Sequence, residues 1–247
     1  MKRKLCVAIA AILTIPLLHG FAFAGGWGPY FSWGREEPST GLPGFLIDEI
    51  KEFVPDSVIQ ELEAANLDLS LNHLTFGIMY DSAPARDKLM GYRGTLGFDI
   101  ATESKIEDVT IANISLKDVL GDVGFGLDED SKYGLSTNHT LAFGIIRTDR
   151  LKWWAGPGIG LTFNYYDIGT VLDIKAANLS IGGGGETGVN IHLGSSVTLC
   201  VGGGIHWRAF GYGGGSEDVD LGSFVWGNGP FFFIQTSILF RTGYDKG

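Results

Sequence analysis

The chain has 247 residues, 45% of them hydrophobic, with 38 glycines and a formal net charge of −10. That acidic balance argues against a nucleic-acid binder or a protein that docks electrostatically on anionic lipid. Beyond the first residues no stretch is apolar for the ~20 residues that a membrane-spanning helix needs, so the hydrophobic residues must be used in another way.

Lys2-Arg3-Lys4 is followed by an apolar run from Leu5 to Leu18 and then by Ala22-Phe23-Ala24. A basic start, a short apolar stretch and an Ala-x-Ala site predict a signal peptide over residues 1–24, cleaved after Ala24. A retained anchor is the rival reading, and Pro16 and the shortness of the run count against it. Cys6 lies away from the cleavage site, which argues against a lipoprotein anchor. Losing Lys2, Arg3 and Lys4 takes the charge from −10 to −13. The mature chain, 25–247, reads as one domain. Its one cysteine, Cys200, excludes an internal disulfide.

Successive side chains of a strand point to opposite faces, so a period of two in polarity marks a sheet with one apolar face. The first such segment is Trp27 to Trp33, with Trp27, Pro29, Phe31 and Trp33 on one side. The second puts Leu74, Phe76, Ile78 and Tyr80 outward and His73, Thr75, Gly77, Met79 and Asp81 inward. After a turn over 82–88, Met90, Tyr92, Leu96 and Phe98 face out, and Arg93, Thr95, Gly97 and Asp99 face in. The fourth carries Leu141, Phe143 and Ile145 against Thr140, Ala142 and Gly144, and the short turn Thr148-Asp149-Arg150 leads to the fifth. There Trp153, Ile159, Leu161 and Phe163 oppose Trp154, Gly156, Gly158 and Gly160. Pro157 removes a ladder donor from this segment and predicts a bulge. The sixth alternates Leu179, Ile181, Val189 and Ile191 against Ser180, Gly182, Gly184, Glu186 and Asn190. A tight turn near Leu193-Gly194-Ser195 joins it to the seventh, in which Val197, Leu199, Val201, Ile205 and Trp207 oppose Cys200, Gly202, Gly204, His206 and Arg208. In the last, Phe232, Ile234, Thr236, Ile238 and Phe240 face one way and Phe233, Gln235, Ser237, Leu239 and Arg241 the other.

The segments number eight, and the connections between them alternate long and short. An apolar outside, a glycine-rich polar inside, an even strand number and alternating loop lengths predict an all-β, eight-stranded antiparallel transmembrane barrel. Trp33, Tyr80, Tyr92, Trp153, Tyr165, Trp207 and Tyr244 are placed to form interfacial girdles. In this pattern the chain resembles the small eight-stranded outer-membrane proteins of the A, X and W types. The resemblance covers most of the mature chain and rests on no member-specific motif. It implies a Gram-negative outer-membrane location, contact with outer-membrane lipids and lipopolysaccharide, and insertion by the barrel-assembly machinery. One departure is the end of the chain, where Phe240 and Tyr244 are followed by Asp245-Lys246-Gly247 instead of closing on an aromatic residue.

Leu46, Ile50, Phe53 and Val54 have helical spacing in the first long connection, and Ile59 and Leu62 belong to a second short helix after Pro55-Asp56-Ser57. Packing on the barrel rim is the simpler use of these helices, and a lid or docking surface for a small hydrophobic ligand is the sharper one. Arg93, Asp99, Glu186, His206, Arg208 and Arg241 fall on the inward parity. A charge in a narrow lumen needs a partner, and Glu186 is expected to meet Arg93, Arg208 or both. The inward glycines either leave space for water or ligand, or permit the coiling of a small barrel. His73 and His139 read as rim residues, and Cys200 as a buried, inert thiol.

No metal-ligand spacing, cofactor motif or nucleotide loop is present: Gly182–Gly185 lies within a strand and lacks the Lys-Ser/Thr ending. Asp128-Glu129-Asp130 and Glu217-Asp218-Val219-Asp220 read as solvated acidic loops. A lipid A deacylase pairs a histidine with a serine two residues on. Here His206 is followed at that spacing by Arg208, which argues against a catalytic site. Three readings follow: a non-enzymatic barrel with a structural or loop-mediated binding role, a narrow pore or hydrophobic conduit, and a lipid A-modifying enzyme.

Overall fold

A computed structural model describes residues 25–41, 47, 55–57, 59–60, 66–83, 88–106, 110–111, 114–115, 131–168, 174–215 and 225–242. The predicted leader, the acidic clusters, Tyr244 and the loop-helix residues Leu46, Ile50, Phe53, Val54 and Leu62 lie outside these. Ile59 lies within them: Asp56, Ser57, Ile59 and Gln60 are helical, and Ile59 N–H donates to Pro55 C=O at 3.2 Å.

The strands are β1 (Gly25–Glu36), β2 (Ser39–Gly41), β3 (Asn66–Asp81), β4 (Met90–Ile106), β5 (Thr110–Ile111), β6 (Ile114–Ser115), β7 (Ser131–Arg147), β8 (Leu151–Ile168), β9 (Ile174–His192), β10 (Val197–Gly215) and β11 (Val225–Thr242). β5 and β6 pair only with each other. The rest form one antiparallel sheet that closes on itself, because β1 pairs with both β3 and β11. β2 resumes the line of β1 beyond Glu37-Pro38 and pairs with the same two neighbours. The wall therefore has eight staves, as the alternation predicts.

Closure leaves no unpaired edge, which strands in lipid require. The outer face carries Trp27, Phe31, Phe76, Ile78, Phe98, Leu135, Ile181, Ile205, Ile234 and Phe240, all exposed. A belt of that size on a closed sheet is the lipid-facing surface of a transmembrane barrel. β1 starts earlier and runs further than the apolar alternation from Trp27 to Trp33 suggests, and its extension carries Glu36 into the lumen.

Pro157 does not cause the expected bulge. The β7–β8 register is the same at Thr140↔Gly158 and at Phe143↔Ala155, on either side of the proline. The shift comes later, between Gly144 and Ile146, where two adjacent isoleucines, Ile145 and Ile146, are both exposed. A bulge is what lets neighbouring residues share one face. The short turns fall as expected: Thr148 N–H donates to Leu151 C=O at 2.8 Å, and Leu193 N–H to Val197 C=O at 3.0 Å. Gly194, at φ 145°, takes a backbone conformation that favours glycine.

Candidate functional site: a lumen filled by buried ion pairs

The inward parity of eight strands sends polar side chains to one axis, and they meet there in three tiers. Nearest the short turns, Arg93 Nε lies 3.5 Å from Asp81 Oδ2, and its guanidinium stacks 4.1 Å above the Trp154 ring. Asn190 Nδ2 donates to the same Asp81 oxygen at 3.2 Å. Lys152 is also buried here and donates to Ala83 C=O at 2.6 Å. Cys200 packs beside this tier with Tyr30, Met79 and Leu239 and is 2% exposed. A water-soluble maleimide is therefore expected to leave the Cys200 thiol unlabelled in the folded protein and to label it in urea; mass spectrometry of the peptide reads the difference.

The middle tier is centred on Glu186, which is 3% exposed. Its Oε1 accepts hydrogen bonds from Asn138 Nδ2 at 2.7 Å and His206 Nε2 at 2.9 Å, and its Oε2 accepts one from Thr140 Oγ1 at 2.6 Å. Across the lumen, Asp99 Oδ1 accepts from Thr75 Oγ1 at 2.5 Å and from Ser136 Oγ at 2.9 Å. In the tier toward the long loops, Arg208 Nη1 donates to Glu36 Oε1 at 2.6 Å and to Thr162 Oγ1 at 3.2 Å. Its guanidinium lies 3.5 Å over the Phe231 ring, and His73 Nε2 is 3.2 Å from Glu36 Oε2.

The expected partners of Glu186 are thus corrected. Arg93 belongs to Asp81 and Arg208 to Glu36, while Glu186 is held by a histidine and two neutral donors. Arg241 is not a lumen residue: it sits at the short-turn end and donates to the carbonyls of Gly194 and Val197, clasping the β9–β10 turn. His73 is buried in the lumen, not on the rim. His139 is on the outward face of β7 near mid-strand, where Tyr92 Oη lies 2.6 Å from its Nδ1 and Thr137 Oγ1 lies 3.0 Å from its Nε2. Glu36, Tyr30 and Lys152 are lumen residues that the sequence reading did not single out. The signal for Glu36 was its even spacing from Tyr30, Ser32 and Gly34.

The inward glycines make room for these side chains. A Cβ on Gly158 would lie 1.9 Å from Glu186 Oε1, one on Gly182 2.5 Å from Arg208 Cγ, and one on Gly188 2.7 Å from Trp154 Cζ2. Glycine here is a flat surface on which a large polar or aromatic side chain rests. Gly158→Ala should push the Glu186 carboxylate off its donors and cost about 1–3 kcal/mol, the usual penalty for stranding a buried acceptor. Gly185, on the outer face, has nothing within 4 Å of a Cβ, so Gly185→Ala should leave the urea midpoint unchanged.

Toward the long-loop half of the lumen lies a cavity of about 30 Å³. At roughly 10–15 Å³ per water-sized body, it holds about two. Among the described residues no cluster of three His, Cys, Asp or Glu is arranged for a metal ion.

No protein-family model matches the chain, and no curated protein matches it. Among solved structures it is similar to Neisserial surface protein A, at 10% identity over 87% of this chain and 97% of that one, with a TM-score of 0.39. It is also similar to the outer membrane protein OprG from Pseudomonas aeruginosa, at 10% identity over 89% and 97%, TM-score 0.46. A third is a major outer membrane protein from Thermus thermophilus, at 12% identity over 87% and 99%, TM-score 0.40.

Proposed function

We propose that the protein is a closed, non-enzymatic outer-membrane barrel whose structural or binding role is carried by its long external loops. The observation that carries this reading is the filling of the lumen. Two ion-paired tiers and the hydrogen-bonded Glu186 cluster between them cross it, with a cavity of about 30 Å³ toward the long loops. The apolar belt and the predicted leader support an outer-membrane location, and the reading includes contact with lipid and lipopolysaccharide and insertion by the barrel-assembly machinery.

A conduit for small hydrophobic molecules would need an apolar path, whereas this lumen is lined by Glu36, Asp99, Arg208 and hydroxyl side chains. A lipid A-modifying activity centred on His206 would need that ring at the lipid face. It is instead 0% exposed, inside the wall, with its Nε2 donating to Glu186. The reading is tested by overproducing the protein in a Gram-negative host. Unchanged uptake of small polar and hydrophobic solutes, with an unchanged lipid A mass spectrum, is expected. Faster uptake would favour the conduit, and a lipid A species lacking an acyl chain would favour the enzyme.

A further inference from the structure

Among the described residues, three of the four buried lumen carboxylates have a basic partner: Asp81 has Arg93, Glu186 has His206, and Glu36 has Arg208. Asp99 differs. It is 2% exposed, and both hydrogen bonds it accepts come from neutral hydroxyls and land on Oδ1. Among the described residues no Lys, Arg or His lies within 4.0 Å of it. Arg208 lines the same cavity but is committed to Glu36 and Thr162.

Gln235 supplies an independent observation. It comes from β11 on the opposite side of the lumen, is 7% exposed and lines this cavity, yet no hydrogen-bond partner of its side-chain amide exists among the described residues. A buried carboxylate with no basic group in contact and a buried amide without a partner are both costly. They face the same space of about 30 Å³, with the Tyr30, Thr75 and Ser136 side chains around it.

We propose that this cavity is a binding site for one small monovalent cation, held between the Asp99 carboxylate and the Gln235 amide oxygen. The donors around the space are carboxylate, amide and hydroxyl oxygens, the ligands that hard cations take. The charge count agrees. With His73 neutral, Glu36 and Asp99 bring two negative charges to the cavity and Arg208 one positive charge, so one cation completes the balance. A divalent ion fits less well, because the second carboxylate is already bound by Arg208. The other titratable groups lining the cavity are Tyr30 and His73, and His73 contacts Glu36, not Asp99.

The test is the unfolding midpoint of the protein purified in detergent, measured in sodium, potassium or choline chloride at equal ionic strength. All three salts are compared at one pH, about 8. Choline is too large for the space. A midpoint that rises and saturates with sodium or potassium, but not with choline, is expected. Asp99→Asn should abolish that difference and Gln235→Met should reduce it. Equal midpoints of the unmodified protein in all three salts would overturn the proposal without any variant. Survival of the full cation effect in Asp99→Asn, or in Gln235→Met if the first variant does not fold, would overturn it as well.

Discussion

Replacing Arg208 with methionine is expected to lower folding stability by about 3–5 kcal/mol, the range for removing one partner of a buried ion pair. Arg208 is 4% exposed, and its guanidinium holds Glu36 at 2.6 Å, Thr162 at 3.2 Å and the face of Phe231 at 3.5 Å. Methionine fills part of the volume but leaves the Glu36 carboxylate without its guanidinium beneath the long loops. The double variant Glu36→Gln with Arg208→Met removes the stranded charge as well, and it should recover a substantial part of the loss. Urea unfolding of the protein in lipid vesicles, followed by tryptophan fluorescence, gives both numbers. A double variant no more stable than Arg208→Met alone would mean that the pair is not what makes Arg208 important.

The second large effect concerns the outer face. Ile234 sits in the middle of β11, is 63% exposed and pairs with Trp33 and Gly203 on its neighbours. Arginine at a lipid-facing position near the bilayer centre costs about 2–4 kcal/mol, falling to about 0–1 near the interfaces. Ile234→Arg should therefore be strongly destabilised in lipid vesicles, and Asn228→Arg, toward the long-loop end of the same strand, nearly neutral. Equal small losses at both positions would contradict the assignment of this face to lipid.

The strands were readable because a barrel in lipid has two unlike solvents, and each strand shows the difference residue by residue. In β11 every inward and outward assignment from Phe232 to Phe240 holds. The pairing of lumen charges was not readable in the same way. Parity says that Arg93, Glu186 and Arg208 point inward, but which of them meet depends on the stagger of the strands around the barrel, which no single strand encodes. Glu36 was missed for a related reason: the apolar side of β1 ends at Trp33, and Gly34-Arg35-Glu36 gives no apolar signal that the strand continues. Pro157 misled because a missing N–H weakens the ladder without inserting a residue. The bulge in β7 shows in the sequence as Ile145-Ile146, two consecutive apolar residues that strict alternation cannot place on the same face. His139 reads as a rim residue because the apolar alternation of its strand begins at Thr140-Leu141, but β7 starts at Ser131 and puts it near mid-strand. Tyr92 and Thr137 satisfy both of its ring nitrogens, which makes the position tenable.

In the proposed reading the tiers around Asp81–Arg93, Glu186–His206 and Glu36–Arg208 close the barrel. Current recorded across a planar bilayer into which the folded protein has been inserted shows whether they do. No discrete conductance steps are expected from the unmodified protein, and none from Glu186→Gln, whose amide oxygen can still accept from Asn138 Nδ2 while its nitrogen donates to Thr140 Oγ1. Reproducible unitary steps from the unmodified protein, with folding confirmed by circular dichroism, would contradict it.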